Sequence, residues 1–298
     1  FLPKIEYIPF MDEADLVVVN MCSVRQTAVD RVYGLLPKLK KIKAKTILTG
    51  CILKKDRKKF EKYFDKIKKM PHANSCSSAY IPVSNGCNNF CSYCVVPYTR
   101  GKLTCREPQE IIKEVKKAVK AGAREIWLLG QNVNNYKSAK INFPKLLKII
   151  NNISGDFSIR FMSPHPKDFS DELINTMADC QKAARYLNLP VQSGDDKILK
   201  KMNRSYAVKE YRILVKKIRK AIPNINLSTD VIVGFPGETK KQFQNTVKLF
   251  KEIKFDMAYI SKYSPRPGTA AFQMKDNIPL KEKKQRERVL RKLIKKHG

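Results

Sequence analysis

Histidine is scarce in this chain: His72, His165 and His297 are the three in 298 residues. None stands at finger spacing, so a structural zinc site, which wants four ligands in two pairs, has no frame here. Long apolar runs are missing as well. The most apolar stretches, Asp15 to Val19 and Asp230 to Val233, are strand-sized and end in polar or glycine residues, far short of the about 20 residues that cross a membrane. Acid is also in short supply, with 27 Asp plus Glu against 60 Lys plus Arg and a formal net charge of +33. A field of that sign favours a polyanion such as RNA. Lysine makes up most of the surplus, however, and Asn and Ile are abundant, as an AT-rich genome yields without selection for binding. Runs such as Lys38 to Lys45 also suit solvated helix faces, so charge alone names no partner.

Eight cysteines are present. The length of the chain, the lack of secretory features and the clustering of the thiols argue against a disulfide framework and for a reducing, cytoplasmic setting in which thiolates serve metals. The densest group is Cys87-Asn88-Asn89-Phe90-Cys91-Ser92-Tyr93-Cys94. Thiolates at spacing three-then-two can hold a cubane [4Fe-4S] cluster by three irons, and the fourth iron is then open to a ligand that comes and goes. S-adenosylmethionine fits that opening. Its amino and carboxylate groups can chelate the open iron, and one electron from the cluster then splits its sulfonium.

Around this group the sequence alternates strand and helix signals. Leu16 to Val19 and Thr46 to Leu48 look like buried parallel strands flanking a helix over about 24–41, a βαβ unit with both strand ends on one sheet edge. Cys22 and Cys51 follow those strands, so both are expected at the carboxyl edge, where α/β sheets bind ligands. Residues 54–78 read as a helix followed by a linker. The domain boundary is placed at Ser78, giving domains 1–78 and 79–298. Beyond it, strands are predicted over 79–83, 125–129, 158–162, 186–191, 226–233 and 257–263. Six β/α repeats make a partial barrel, with reactive groups at the carboxyl ends of its strands. Between the first two, Pro108 suits a first helical turn, Ile111, Ile112, Val115, Ala118 and Val119 share a face, and Gly122 can close the end.

The cysteine group and several further segments resemble the radical-SAM methylthiotransferases over nearly the whole chain. These segments are Val18-Val19-Asn20-Met21-Cys22-Ser23-Val24-Arg25, the run Cys94 to Gly101, Leu129-Gly130-Gln131-Asn132-Val133-Asn134, Leu189-Pro190-Val191-Gln192-Ser193-Gly194, and Tyr263-Ser264-Pro265-Arg266-Pro267-Gly268-Thr269. Gly130 to Asn134 is similar to the branch of the family that acts on tRNA. The resemblance implies an α/β fold: a Rossmann-like N-terminal methylthiotransferase domain, incomplete here, followed by a radical-SAM partial TIM barrel. It implies transfer of a methylthio group to carbon 2 of an isopentenylated adenosine beside the anticodon of tRNA. Two S-adenosylmethionine molecules are consumed, one donating methyl to sulfur at an auxiliary cluster and one making the radical. By position Cys87, Cys91 and Cys94 match the ligands of the radical cluster, and Cys22 and Cys51 match two of the three ligands of the auxiliary [4Fe-4S] cluster. Tyr93, Gly130, Gln131, Gln192, Ser193 and Arg204 stand where relatives hold S-adenosylmethionine, Arg204 being suited to its carboxylate. Gly234-Phe235-Pro236-Gly237-Glu238 resembles the adenine-side motif and is no P-loop, lacking Gly-Lys-Ser/Thr.

The resemblance also carries an electron donor such as flavodoxin or ferredoxin, a monomeric state and no membrane. The family's first auxiliary cysteine would precede Phe1, and its small RNA-binding barrel would follow Gly298, so a fragment at both ends is expected. Asn188 stands in place of the family's histidine, Pro164 precedes His165, and Cys105 replaces a serine. Cys76, Cys105 and Cys180 are the remaining cysteines that a substitute ligand would have to come from. Two other readings remain: methylthiolation of a ribosomal protein, which shares every cluster ligand and differs only in the substrate surface, and a degenerate RNA-binding remnant, which keeps the basic surface and needs no intact cluster.

Overall fold

The computed structural model describes residues 11–22, 26–52, 54–67 and 77–294. The chain divides into two compact units, Phe1–Pro71 with Tyr98–Arg100, and His72–Pro97 with Gly101–Gly298. Cys76 and the segment Ser23 to Arg25 lie outside the described residues.

In the first unit the apolar run at Leu16 opens strand β1 (Leu16–Cys22), helix α1 (Gln26–Leu39) follows, and β2 (Lys45–Cys51) returns parallel to β1. Pro37 lies two residues before the end of α1, where the loss of one N–H costs the helix little further length. Val17, Met21, Val29, Val32, Leu36, Leu39, Leu48, Phe60 and Phe64 form the core. Helix α2 (Lys54–Phe60) leads to a two-residue strand, β3 (Lys66–Ile67), which extends the sheet beside β2. That strand interrupts the stretch expected to be a linker, because two residues carry no alternation to read. Thr46 secures the turn before it, donating to Asp65 Oδ2 from its N–H at 2.6 Å and from its hydroxyl at 2.9 Å.

The register of β1 on β2 runs from Leu16↔Lys45 to Cys22↔Cys51. Both cysteines are therefore the last residues of their strands, with Cα atoms one strand spacing, about 4.8 Å, apart. Their side chains lie outside the described part of the structure. Gly50, at φ +104°, permits this ending, since a Cβ there would meet the Met21 carbonyl oxygen at 2.1 Å.

The second unit starts with β4 (Ser78–Pro82) and a small hairpin of β5 (Ser84–Asn85) with β6 (Thr104–Cys105), which brackets the cysteine loop and helix α3 (Val96–Arg100). Then come α4 (Pro108–Lys120), β7 (Glu125–Leu129), a second hairpin of β8 (Lys137–Ser138) and β9 (Ile141–Asn142), α5 (Phe143–Asn151), β10 (Ser158–Phe161) and α6 (Asp171–Asp179). The remainder is β11 (Tyr186–Asn188), α7 (Asp196–Lys201), α8 (Val208–Ala221), β12 (Asn226–Val233), α9 (Lys240–Ile253), β13 (Met257–Lys262) and α10 (Leu280–Ile294).

Two parallel three-stranded sheets, ordered β10-β7-β4 and β11-β12-β13, are joined where Ile159 bridges Ala183. The six strands of the expected partial barrel are thus in place. β11 stops at Asn188 short of the predicted Val191, because Pro190 has no N–H to give the ladder. Every second residue points to the helical layer: Ala79, Ile81, Ile126, Leu128 and Ile159 join one core with Ile111 and Val115 of α4 and Leu146, Leu147 and Ile150 of α5. Helix α4 has the anatomy its sequence called for, with Pro108 as its first residue, Ile111 and Val115 fully buried, and Gly122 at φ +92° donating to Val119 O. Among the described residues no helix is long and apolar enough to cross a membrane.

Leu128 is wholly buried in that core. Leu128→Ala is expected to lower unfolding stability by about 2–5 kcal/mol, read as a shifted denaturant midpoint with an unchanged slope; a loss below about 1 kcal/mol would contradict this packing.

Candidate functional site

The cysteine loop follows β5, and its entry is set by backbone. Gly86 at φ +81° sits so close to the bend before β6 that a Cβ would lie 2.1 Å from Lys102 O. Its N–H donates to Gln131 Oε1 at 2.7 Å, and Cys87 N–H donates to Gly101 O at 3.2 Å. Gln131, from the end of β7, thus holds the residue before the first cysteine. Gly130 beside it packs so tightly that a Cβ would meet Ser84 Oγ at 2.6 Å.

The far side of the loop is fastened to the carboxyl end of α7. Ser92 donates its N–H to Met202 O at 3.0 Å and its hydroxyl to Lys201 O at 2.8 Å, satisfying carbonyls that a helix end leaves without partners. Ala271 N–H returns a bond to Ser92 O at 2.7 Å, and Asn203 Nδ2 donates to Phe90 O at 2.8 Å. Tyr93 packs against a small core of Ile198, Met202, Phe235, Tyr263 and Ala271. Burial pushes its phenol well up, against the pull of Arg204.

Arg204 is buried beneath this loop. Nη1 donates to Cys91 Sγ at 3.6 Å, Nη2 to Pro190 O at 2.9 Å and Nε to Tyr206 Oη at 3.0 Å. Its pKa is raised despite the cost of burial, chiefly by Tyr93, Tyr206 and Cys91 around it, so it carries a permanent positive charge at the cysteines. Tyr206 in turn packs edge-on to His165 at 5.8 Å. His165 is fixed by a reciprocal pair with Asn134, whose Oδ1 accepts its N–H at 2.8 Å and whose Nδ2 donates to its carbonyl at 3.0 Å. Burial first, then Arg204 and Lys167, hold its imidazole down to about 3, so it is neutral at physiological pH and Nδ1 accepts Lys167 N–H at 3.2 Å.

The thiols share one electrostatic environment. Cys87 and Cys91 are buried and Cys94 is half-buried. Burial pushes the Cys87 thiol up and takes Cys94 up to about 11, each raised further by neighbouring cysteines. Backbone donors face the sulfurs, Asn89 N–H to Cys87 Sγ at 3.4 Å and Val96 N–H to Cys94 Sγ at 3.5 Å. Among the described residues no three His, Cys, Asp or Glu side chains converge to hold one metal ion. A cubane attaches each thiolate to a different iron and needs a wider spacing. An all-sulfur donor set with N–H and guanidinium groups aimed at the sulfurs fits an iron–sulfur cluster, whose charge those groups stabilise.

The other sequence candidates divide. Gln192 adopts φ +66° where its backbone bridges to Val231, and Ser193 is fully buried, its hydroxyl accepting Asp195 N–H at 3.3 Å in the turn that starts α7. Their described contacts run to this turn and to β12, and none to the cysteine loop. Gly234 ends β12 at φ +69°, with a Cβ there only 2.4 Å from the stem of Lys283, and its N–H donates to Glu238 Oε2 at 2.7 Å. Of the spare cysteines, Cys180 lies in the barrel core, and Cys105 accepts Lys137 N–H at 3.3 Å. Sequence reading named Ser92, Asn134 and Glu238 within longer segments without giving them a role, and it passed over Tyr206 and Arg286, the partner of Glu238 under the Gly234 turn. The only signal was a polar residue inside an otherwise apolar or turn segment.

That pair is closed at 2.6 Å between side chains 1% and 4% exposed. Burial pushes the Glu238 carboxyl up, and the Gly234 N–H and Arg286 oppose it. Arg286→Met is expected to cost about 3–5 kcal/mol at neutral pH. The unpaired carboxyl, with its folded pKa raised, favours the fold fully below the unfolded value of about 4.3 and loses that benefit as pH rises. The variant's deficit should therefore grow from pH 4 to 7 in denaturation curves; a deficit independent of pH would contradict the pairing.

Comparison with known proteins came to the same place. The family described as Radical SAM superfamily matches residues 81–250, and Uncharacterized protein family UPF0004 matches residues 3–70. A tRNA-2-methylthio-N(6)-dimethylallyladenosine synthase of Clostridium novyi (strain NT) is 42% identical over 316 aligned positions, covering 90% of this chain and 70% of the relative. The protein of that name from Endomicrobium trichonymphae is 39% identical, covering 95% and 75%. Among solved structures, a radical S-adenosylmethionine methyltransferase of Kitasatospora setae with tryptophan and an S-adenosylmethionine analogue bound superposes with TM-score 0.65 at 14% identity, over 88% of this chain and 65% of that one. Coproporphyrinogen III oxidase of Escherichia coli, a radical SAM enzyme, gives 0.57 at 17% identity, over 74% and 52%. These two likenesses are of fold.

Proposed function

The chain belongs to the radical SAM superfamily, in the branch of relatives named tRNA-2-methylthio-N(6)-dimethylallyladenosine synthase, and from that premise we propose that it transfers a methylthio group to carbon 2 of an isopentenylated adenosine beside the anticodon of tRNA. The observation that carries the proposal is the loop of Cys87, Cys91 and Cys94, fastened at both sides to strand and helix ends of the barrel.

Cys87, Cys91 and Cys94 would hold three irons of the radical cluster, and Cys22 with Cys51 would hold two irons of the auxiliary cluster. When bound, the first cluster supplies the electron that splits S-adenosylmethionine and so the radical that removes the substrate hydrogen. Gln131 fixes the loop's entry and Ser92 its centre. Arg204 sets a positive charge beside Cys91 Sγ and ties the loop to Pro190, just past the end of β11. Its three described hydrogen bonds support a role in holding the loop, and its remaining N–H groups can serve a carboxylate. Tyr93 packs with Phe235 and Tyr263 in a small apolar cluster that backs the last cysteine of the loop. Gly130, Gln192, Ser193 and Gly234 end strands or begin turns at the carboxyl edge, where S-adenosylmethionine would lie. The net charge of +33 suits a tRNA partner. A flavodoxin or ferredoxin as reductant, a monomeric state and a cytoplasmic location complete the reading.

The cysteine sets have separable roles. Cys91→Ala is expected to abolish release of 5′-deoxyadenosine in anaerobic assays. Cys22→Ala should leave that release measurable and eliminate the methylthiolated nucleoside. Product persisting in Cys22→Ala would show the auxiliary assignment to be wrong, and deoxyadenosine persisting in Cys91→Ala would overturn the radical one.

A further inference from the structure

Along β4, β7 and β10, the residues between the core positions face the inside of the barrel. A closed barrel fills that space with layers of branched apolar side chains. Here the central layer is built differently. Tyr80, Trp127 and Arg160 are register partners on adjacent strands. The Tyr80 and Trp127 rings stack at 6.2 Å with 22° between planes, and the Arg160 guanidinium lies 5.3 Å from the Trp127 ring and 5.7 Å from the ring of Tyr186 on β11.

One carboxylate holds this layer in shape. Glu125 accepts Trp127 Nε1 at 3.2 Å and Ser78 Oγ at 3.1 Å on Oε2, and Arg160 Nε at 3.0 Å on Oε1. At the other end the Tyr186 hydroxyl meets Ser228 Oγ at 2.9 Å, Ser228 donates to Asn188 Oδ1 at 3.0 Å, and Asn188 donates to Asp230 Oδ2 at 2.7 Å. The layer is nevertheless open to solvent. Arg160 and Glu125 are 29% and 34% exposed, and Met257 and Tyr259 of β13 are each 48% exposed. Tyr80, Trp127, Arg160 and Tyr186 are themselves half-buried, and with Trp127, Arg160 and Tyr186 already held by hydrogen bonds a planar group can be received against their solvent-facing side with little loss of side-chain freedom.

We propose that Tyr80, Trp127, Arg160 and Tyr186 form a stacking platform inside the barrel for the target base of an RNA, turned out of its strand. This rests on the tRNA reading above and adds the residues that receive the base. Base stacking on aromatic rings and on guanidinium planes is the usual physics of single-strand recognition, and Arg160 adds a cation–π component. Its charge is balanced by Glu125, so the platform selects a flat neutral base and leaves phosphate to the lysine-rich exterior.

Trp127 is the single tryptophan of the sequence, so the protein carries its own reporter. The holoprotein is titrated under anaerobic conditions with an anticodon stem-loop RNA containing isopentenyladenosine. Saturable quenching of Trp127 emission is expected, and an otherwise identical RNA with an abasic target position should quench little. Trp127→Ala should raise KM for the RNA by about tenfold or more with a smaller change in kcat, and Trp127→Phe should restore most of it. Tyr80→Leu serves as a second variant, with a KM rise expected in the same direction. Turnover of the RNA with unchanged Trp127 emission, or with unaltered KM in both Trp127→Ala and Tyr80→Leu, would overturn the platform. Should the unaltered holoprotein turn over no such RNA, the tRNA reading fails, and the quenching comparison of the two RNAs still decides for or against the platform.

Discussion

Arg204 is the group on which the site's organisation turns. A guanidinium buried among protein atoms is tolerable only where its donors are answered, and here they are answered by a thiol, a carbonyl and a phenol from three separate segments: Cys91, Pro190 and Tyr206. Satisfying that charge fixes where the cysteine loop sits relative to the end of β11. Ser92, two residues before Cys94, then completes the attachment by capping the carbonyl end of α7. The loop has no regular secondary structure between β5 and α3, so these contacts supply the rigidity that a cluster site requires.

The ends of the barrel strands show a second, related economy. Residues that resemble cofactor contacts also have local structural duties: Gln131 accepts the Gly86 N–H, Ser193 serves the turn into α7, and Gly234 gives its N–H to Glu238. A carboxyl edge is where backbone groups run out of ladder partners, so side chains there are drawn into closing turns. The Glu238–Arg286 pair extends this to helix α10, which is thereby tied to the Gly234 turn through a buried charge pair.

Strand and helix positions were legible because they follow from periodicity and punctuation. Asn226 to Val233 reads as a strand and is one, and Pro108 and Gly122 bound a helix where their backbone chemistry says they should. The short pieces were not legible: β3, β5 and β6 are two residues each, and such strands exist only because a partner is already in place. The cysteine loop announced its metal chemistry by spacing alone. Its supports did not, since Ser92 and Lys201 are 109 residues apart, and neither did the Glu238–Arg286 pair of the Gly234 turn, whose members are 48 residues apart. The inward face of β7 was equally silent: Glu125-Ile126-Trp127-Leu128-Leu129 alternates in burial, yet sequence does not say that Trp127 meets Tyr80 and Arg160 across the sheet.

The central claim is that a cysteine loop on a barrel edge and a basic exterior together serve one modification of RNA. It is tested most directly by mass spectrometry of tRNA nucleosides from cells that lack their own methylthiolating enzyme and express this protein with its clusters assembled. The account predicts that isopentenyladenosine is converted to its 2-methylthio derivative. Isopentenyladenosine left unconverted in the presence of folded, cluster-loaded protein would contradict it.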